Sequence, residues 1–448
     1  TINNSGNSPY TLDYIVTPTA DGCIGLSEVF SLTINPAPVV SFSLPSQVIC
    51  SGDVSSQVVL SSSTPNVTFD WIASSIPAGV SGVSPLQDTS NIPSMTLTHS
   101  GVSPEVVTFI ATATTSGGAA CPGSPTNYTI IINPIPSVST VTDQTICDGS
   151  TTQAVVFNGT GTQYSWTNSD PSIGLASSGF GDISPFTAQN GGQSAVNALI
   201  TVTPEYTSGG VTCSGSPFIF SFTVDPTPFV NPVVDQELCI GDLSQPITFT
   251  GTASNYNWTN TNTASGAAGS GVGIVNSFVA QNNTNQVLTS SFEVIPEANG
   301  CIGSSIFFVI DVNPETSVSP IGNMEFCSGD QTSIVSFSGG GLSYSWTNDT
   351  PSIGLPASGV GPIASFTATN GTNVPLQATI TVTPLFVGGL TSCPGSSTQF
   401  TITVNPIPTV LPVADQVICN GSSSQAVQFS GTNASAFQWT ASSTSIGI

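Results

Sequence analysis

Short segments in which apolar and polar residues alternate recur along the whole chain. ATITVTP at 378–384 and QFTITV at 399–404 alternate with a period of two, which is typical of half-buried β-strands. Clusters of Gly, Pro, Asn and Ser interrupt such segments roughly every 8–12 residues, a spacing typical of β-sandwiches. Since no longer window shows the periodicity of a capped helix, the pattern predicts an all-β protein.

The tryptophans and cysteines show that these strands belong to a repeated unit. Successive tryptophans lie 95, 92, 88 and 93 residues apart, most of them in a phrase such as YSWTN. Five of the ten cysteines precede a tryptophan by 19 to 21 residues, and the other five each precede one of these by 26 or 27. A fixed period of about 90 residues indicates a tandem array. The tryptophans are Trp71, Trp166, Trp258, Trp346 and Trp439.

Each unit is predicted to form about seven strands in two packed sheets, similar in size and pattern to an immunoglobulin domain. One tryptophan on the third strand is then expected to pack between the sheets as a core anchor, and a sugar-stacking platform is the less favoured alternative. Proline-containing linkers such as NPAP and NPIP mark the module boundaries, because proline ends a strand and stiffens the residues after it. The predicted modules are 37–135, 136–227, 228–314 and 315–406, with a partial module of last strands at 1–36 and one of first strands at 407–448. We therefore expect the chain to be a segment of a longer repeat protein.

Several recurring phrases carry a resemblance to a known family. DQTICDGS at 143–150, ITVTP at 200–204 and 380–384, and ITVNPIP at 402–408 resemble the PKD-like and immunoglobulin-like repeats of very large Bacteroidota surface proteins, including gliding-motility adhesins. The resemblance implies a linear tandem array of β-sandwich modules, type IX secretion through the outer membrane, and an extracellular location on the cell surface. It also implies two sets of partners: the outer-membrane secretion and motility machinery, and extracellular surfaces or polysaccharide bound by other parts of the parent chain.

Two cysteines per repeat predict disulfide bonds. Metal ligation is disfavoured because the chain has no CxxC motif and no Cys/His cluster. The first cysteine of a unit is expected at the turn between its first two strands, and the second at the turn between its last two. In an immunoglobulin-like module these turns lie at opposite ends, about 27 Å apart, whereas a disulfide needs Cα atoms within about 7 Å.

The geometry favours pairing between successive modules, because the first turn of one module and the last turn of the next both face their junction. We predict the pairs Cys50–Cys213, Cys147–Cys301 and Cys239–Cys393. One bridge within each repeat, beginning with Cys50–Cys121, stays open as the alternative. The other cysteines are expected to have their partners outside the chain: Cys23, Cys121, Cys327 and Cys419.

Charge narrows the range of partners. The 448 residues include no Lys or Arg, 24 acidic residues and one histidine, for a formal net charge of −24. Nucleic acids are excluded as partners because phosphate binding depends on Lys and Arg, and anionic membrane surfaces are disfavoured for the same reason. No apolar run approaches the roughly 18 residues of a membrane-spanning helix.

Catalytic and cofactor-binding chemistry is not predicted. His99 is expected to be a loop or edge residue, because no nucleophile and orienting group accompany it. Asp235 and Glu237 are spaced as a carboxylate pair on a strand, but a solvated edge is the better interpretation. We predict no enzyme, cofactor or strong metal site. Weak calcium binding at the module junctions is left open for the recurring carboxylates Asp148, Asp242 and Asp330.

The function favoured by the sequence is mechanical. The chain is expected to be part of a stalk or filament of a large adhesin that carries an adhesive element away from the cell and, in a gliding-motility adhesin, transmits motor force. A multivalent array that binds glycans or surfaces weakly through loops such as 78–100 and 174–190 is an alternative. Spacer modules of a secreted hydrolase are another.

Overall fold

The computed structural model describes residues 1–389 and 391–446. They form an all-β protein of tandem sandwich-type modules, divided into two compact units, residues 1–227 and 228–448. No helix in this described part is both long and apolar enough to cross a membrane.

The first unit contains a short N-terminal segment and two modules. The segment forms antiparallel hairpins from β1 (Tyr10–Val16), β2 (Thr19–Ala20), β3 (Cys23–Ile24) and β4 (Glu28–Ile34). The first module comprises β5 (Ser41–Phe42), β6 (Gln47–Cys50), β7 (Leu60–Ser61), β8 (Val67–Ser75), β9 (Val80–Ser81), β10 (Gln87–Asp88), β11 (Thr98–His99), β12 (Glu105–Thr115) and β13 (Thr126–Asn133). The second comprises β14 (Gln144–Cys147), β15 (Gln163–Asn168), a 3₁₀ turn (Pro171–Ile173), β16 (Ser178–Phe180), β17 (Val196–Ser208), β18 (Val211–Ser214) and β19 (Phe218–Asp225).

The second unit contains two further modules built like the second one. The third module comprises β20 (Gln236–Cys239), β21 (Asn255–Asn260), a 3₁₀ turn (Thr263–Ser265), β22 (Ser270–Val272), β23 (Leu288–Ala298), β24 (Cys301–Ile302) and β25 (Ile306–Asn313). The fourth comprises β26 (Met324–Cys327), β27 (Ser343–Asn348), a 3₁₀ turn (Pro351–Ile353), β28 (Ser358–Val360), β29 (Leu376–Val387), β30 (Ser392–Pro394) and β31 (Thr398–Asn405). Each predicted module thus contains one such set, and the boundaries themselves stay predictions.

One sheet topology recurs in the modules. In the second module the strand order is β14-β19-β17-β15-β16, with β18 paired to β17, and the third and fourth modules repeat it. All these pairs are antiparallel except β14 with β19, which run parallel. The first module has the corresponding order β10-β8-β12-β13-β6, and its parallel pair is β13 with β6. The first and last strands of a module therefore lie side by side and point the same way.

In the second, third and fourth modules, the layer that packs against this sheet is joined by single bridges and not by a continuous ladder. In the second module it consists of single bridges such as Thr151 to Thr187 and Val155 to Ile183. Side chains replace part of the missing ladder: the hydroxyl of Thr152 accepts a hydrogen bond from the Phe186 N–H, and the carboxylate of Asp182 accepts one from the Phe157 N–H. Polar side chains that bond to the backbone compete with a regular ladder.

Each module has its own hydrophobic core. Long strands present alternating buried positions to this core, as in β12 and β17, because successive side chains point to opposite faces. In the first module the indole of Trp71 meets the ring of Phe109 edge-on, with centroids 5.6 Å apart. Four tryptophans lie in these cores, at 1 to 7% exposure: Trp71, Trp166, Trp258 and Trp346.

Trp439 is an exception, and its predicted role as a core anchor is wrong for this structure. Its side chain is 64% exposed. Residues 407–446 carry no assigned strand, so no sheet covers the indole. A tryptophan becomes a core residue only where the strands that pack on it are formed.

A glycine fits against the tryptophan in three of the modules. A Cβ added at Gly179 would lie 2.3 Å from Cζ2 of Trp166, and the same approach recurs at Gly271 and Gly359. The glycines lie in the edge strands β16, β22 and β28, directly opposite the tryptophan in the pairing register. The ring therefore packs on bare backbone, where any larger residue would collide with it.

Replacing Gly179 with alanine should destabilise the second module, since a methyl group forced into a packed core costs about 1–3 kcal/mol. For a module of this size, each kcal/mol lowers the melting temperature by roughly 4–8 °C. Differential scanning calorimetry of the full chain should show one thermal transition shifted down.

Gly191→Ala is the matched control, because nothing lies within 4 Å of an added Cβ at this glycine in the same module. Equal shifts for the two variants would contradict the packing explanation.

Candidate functional site at the module junctions

Parallel pairing of the first and last strands places a cysteine beside the last residue of the module's final strand. Cys50, at the end of β6, is in register with Asn133, at the end of β13. Cys239 and Asn313 have the same relationship in the third module. A proline follows each asparagine and prevents the strand from continuing. Each pair therefore lies at the end of the module from which the chain leaves.

A tight turn holds each of these cysteines. The carboxylate of Asp53 accepts a hydrogen bond from the Cys50 N–H at 3.2 Å, and the Gln47 amide bonds both the N–H and the C=O of Ser56 at 2.7 and 2.9 Å. The same pair of hydrogen bonds, from a glutamine side chain to the backbone N–H and C=O nine residues later, recurs in three other repeats. These pairs are Gln144 with Gln153, Gln236 with Gln245 and Gln416 with Gln425.

A hairpin of the following module brings the second cysteine to the junction. Strands β17 and β18 turn through Gly209 and Gly210, both at positive φ, a backbone conformation that glycine adopts without strain. The structure joins Cys50 to Cys213, with Cα atoms 5.6 Å apart, and Cys239 to Cys393, at 5.5 Å. These are two of the inter-module pairs that the sequence analysis proposes.

The remaining cysteines divide into two groups. The proposed pair Cys147–Cys301 has one cysteine in each unit and stays a prediction. Four cysteines are free thiols in the structure: Cys23, Cys121, Cys327 and Cys419.

The asparagine beside each cysteine makes polar contacts across the junction. Asn133 is fully buried, and its amide donates hydrogen bonds to the carbonyl oxygens of Ser208 and Val211 at 3.0 and 3.3 Å. Asn35, at the end of the N-terminal segment, donates in the same way to the Ala119 carbonyl in the hairpin of the first module, at 3.0 Å. The asparagine thus satisfies backbone acceptors that the hairpin brings out of water.

The corresponding asparagine in the second unit bonds a carboxylate. The Asn313 amide donates to Oε1 of Glu237 at 3.0 Å and contacts the Cys393 sulfur at 3.4 Å. Glu237 is half-buried here, so the prediction of a solvated edge is wrong for this residue. The reason is that the hairpin of the fourth module covers the strand on which Glu237 lies. Asp235 accepts a hydrogen bond from the Val309 N–H at 2.7 Å.

The hairpin tips need glycine because they approach the preceding module closely. A Cβ added at Gly209 would lie 2.8 Å from the Val48 side chain, and one at Gly388 would lie 1.8 Å from Oε1 of Glu237. A larger residue at Gly209 would also be strained by its φ of +58°, whereas at Gly388 the Glu237 carboxylate would have to shift. Each junction therefore combines a disulfide, a buried amide and a close backbone contact.

The carboxylates left open for calcium are used in local hydrogen bonds. Asp242 accepts from the Cys239 N–H at 3.0 Å, and Asp330 accepts from the Cys327 N–H at 2.8 Å. Asp148 accepts from the Asn190 N–H at 2.7 Å. In residues 1–389 and 391–446, no group of three or more His, Cys, Asp or Glu side chains could hold a metal ion.

His99 lies in the short edge strand β11, paired with β9, and its side chain is buried at 8% exposure. Its Nδ1 accepts a hydrogen bond from the Gly101 N–H at 2.9 Å. Its Nε2 has no hydrogen-bond partner. The ring is thus held by its own loop in the first module.

Sequence reasoning missed the junction asparagines and the hairpin glycines. The sequence does contain a signal for the former, since Asn or Asp precedes proline at the end of each module's last strand, at 35, 133, 225, 313 and 405, although Asn231 also precedes a proline elsewhere. Taken alone, this dipeptide indicates only a linker. At Asn133 and Asn313 the asparagine side chain is buried while the proline ends the strand, so the dipeptide has two separate roles there.

Residues 47–136 match the model of the PKD-like domain family. This is about a fifth of the chain and covers most of the first module. A search of curated protein sequences gives no match.

Solved structures that match the chain are fragments of several cadherin or immunoglobulin domains. Cadherin domains 3–6 of protocadherin gamma B2 are 11% identical, with a TM-score of 0.30, over 82% of this chain and all of that one. Immunoglobulin domains 1–5 of Sidekick-1 are 10% identical, with a TM-score of 0.25, over 89% and 96%. Drosophila N-cadherin EC1-4 is 13% identical, with a TM-score of 0.26, over 81% and 99%.

Asn133→Ala should loosen the first junction, because the Ser208 and Val211 carbonyls lose their donor. Leaving a buried polar group without a partner costs about 1–3 kcal/mol. Hydrogen–deuterium exchange should become faster in the hairpin at 206–213 and stay unchanged in the core strand β19.

The matched control is Asn127→Ala, which alters an exposed asparagine on the same strand; a surface change of this kind stays within about 0.5 kcal/mol. If the hydrogen–deuterium exchange of the hairpin were identical in the two variants, Asn133 would have no part in docking.

Non-reducing peptide mapping should recover a peptide pair linked through Cys50 and Cys213 and another through Cys239 and Cys393. Trypsin cannot be used because the chain has no Lys or Arg, so digestion with a glutamate-specific protease or pepsin is required. A peptide linking Cys50 to Cys121, or Cys239 to Cys301, would establish bridges within modules instead.

Proposed function

We propose that this chain is a force-bearing stalk segment of a large extracellular protein. The observation that carries the proposal is the covalent junction: in each unit a disulfide joins two successive modules, each with its own core. Modules joined only by a flexible linker would bend and separate under tension. A disulfide, a buried amide and a close-fitting hairpin together resist such movement.

The strand order of a module also suits a tensile role. The first strand β6 and the last strand β13 are neighbours and run parallel, with Gln47 opposite Ile130 and Cys50 opposite Asn133. When the disulfide is reduced, force applied to the two ends of the module pulls these strands in opposite directions along their length. Their hydrogen bonds are then loaded together in shear, since ladder bonds lie across the strand direction.

The disulfides create a second path for tension. Once Cys50 and Cys213 are joined, force passes from one sulfur to the other and bypasses the residues between them. A bond that spans 163 residues thereby protects most of two modules from unfolding. The bond in the second unit spans 154 residues and acts likewise.

An extracellular location follows from the same bonds, because disulfides form and persist in oxidising compartments. We further propose that the parent protein is a Bacteroidota adhesin of the gliding-motility type, exported by type IX secretion and displayed on the cell surface. Its partners would be the outer-membrane secretion and motility machinery, together with surfaces or polysaccharide bound elsewhere in the parent chain. The PKD-like match at 47–136 supports the repeat type, and the finer assignment depends on the resemblance of the repeat phrases alone.

Single-molecule force spectroscopy of the full chain tests the stalk proposal. With the disulfides intact, the extension released on complete unfolding should fall short of the full contour length. At about 3.4 Å per residue, the deficits are about 550 Å for the 163-residue loop and about 520 Å for the 154-residue loop. Adding a thiol reductant should restore the missing length.

The double variant with Cys50→Ser and Cys213→Ser is the control, and it should lose only the first deficit. If the oxidised chain extended to the same length as the reduced chain, the disulfides would carry no tension and the proposal would fail.

A further inference from the structure

The end of the fourth module repeats the arrangement of the two junctions. Cys327, at the end of β26, is in register with Asn405, at the end of β31. The Asn405 amide donates to Oε1 of Glu325 at 2.6 Å, as Asn313 does to Glu237. We call the surface formed by Glu325, Cys327 and Asn405 the end face.

The end face differs from the occupied junction in its exposure. Glu325 and Cys327 are exposed, and Cys327 is a free thiol. At the junction of the third and fourth modules, the equivalent Glu237 and Cys239 are half-buried. Asn405 is half-buried, whereas Asn313 is fully buried. The backbone pairing is the same in both, so the difference is the hairpin that covers one face and not the other.

We infer that the end face is a docking site for a β-hairpin that has a glycine tip and a cysteine shortly after it. The two occupied junctions define this partner. Its tip is glycine, because Gly209 has a φ of +58° and an added Cβ there would lie 2.8 Å from the Val48 side chain. The asparagine amide meets this hairpin at its carbonyl groups, as Asn133 meets Ser208 and Val211, or at its cysteine sulfur, as Asn313 meets Cys393. Its cysteine reaches the thiol, as Cys213 reaches Cys50.

Preorganisation distinguishes this site from an ordinary exposed cysteine. The Cys327 N–H is held by the Asp330 carboxylate at 2.8 Å, and the Asn405 amide is already directed by Glu325. Little conformational freedom remains to be lost when the hairpin docks, which favours binding. The end face is a docking surface on the proposed stalk, but its docking depends only on the junction geometry.

The covalent step is thiol–disulfide exchange with a hairpin cysteine that carries a mixed disulfide. Cys327 gives its proton to water, and the thiolate attacks the hairpin sulfur. A bond forms between the Cys327 sulfur and the hairpin sulfur while the original disulfide breaks, and the leaving thiol departs as a thiolate. The mixed disulfide is the oxidant, so the exchange needs no other.

The test uses the full chain and a synthetic hairpin peptide of residues 204–215, PEYTSGGVTCSG, whose cysteine carries a thionitrobenzoate group. Release of the coloured thiolate gives the rate, and peptide mapping gives the site of attachment. We expect attachment at Cys327 about tenfold faster than with a scrambled peptide of the same composition, which corresponds to ~1.4 kcal/mol of docking. The exposed free cysteines Cys23 and Cys419 should show no preference between the two peptides.

Variants separate docking from simple thiol reactivity. Asn405→Ala should abolish the preference for the hairpin peptide, while a small aromatic disulfide reacts with Cys327 at an unchanged rate. Gln399→Ala, an exposed change on the same strand, should leave the preference intact. A peptide with Gly209→Val should react no faster than the scrambled peptide.

Equal rates for the hairpin and scrambled peptides at Cys327, in a chain whose thermal transitions are normal, would overturn the inference. That result would leave the force measurements on the Cys50–Cys213 loop unaffected. Conversely, if the deficit in extension did not depend on the disulfides, the stalk proposal would fail. The peptide rates at Cys327 would still test the end face independently.

Discussion

Parallel pairing between the first and last strands of a module is the constraint on which the junctions depend. It places Cys50 opposite Asn133 and Cys239 opposite Asn313, so that the thiol and the buried amide leave the module at the same end. With antiparallel pairing, the cysteine would lie at the far end of the last strand. The hairpin of the following module could not then reach both groups. The disulfide is thus a consequence of topology.

The lack of Lys and Arg shifts polar recognition to neutral amides. In proteins of ordinary composition, a carboxylate at an interface usually meets a cation; here Glu237 meets the Asn313 amide. Glutamine side chains brace the cysteine turns, and asparagine side chains bond to the carbonyl groups of the docking hairpin. Amide contacts are weakly sensitive to salt, because neither partner depends on a long-range Coulomb attraction. The junctions should therefore hold over a wide range of ionic strength.

Much of the fold could be predicted because Trp and Cys recur at a fixed interval and the strands alternate with period two. The distance between the two ends of a sandwich was enough to favour the pair Cys50–Cys213 over a bridge within one module. The role of Asn133 could not be predicted, since a buried amide depends on the hairpin that covers it. The contact between Gly179 and Trp166 could not be predicted without the pairing register of the two strands. The sequence shows only that SGFG or SGVG recurs at 178–181, 270–273 and 358–361. Trp439 shows that a repeated motif does not by itself make a tryptophan a core residue. Its side chain stays exposed because the strands that would cover it are not formed.

The bond between Cys50 and Cys213 closes a covalent ring that includes the proline linker at 134–136 and parts of both neighbouring modules. A single cut by a protease anywhere inside this ring opens it without releasing either half. The upstream and downstream pieces stay attached through the two sulfur atoms. The protein can therefore survive a backbone cut inside this ring and still remain one molecule.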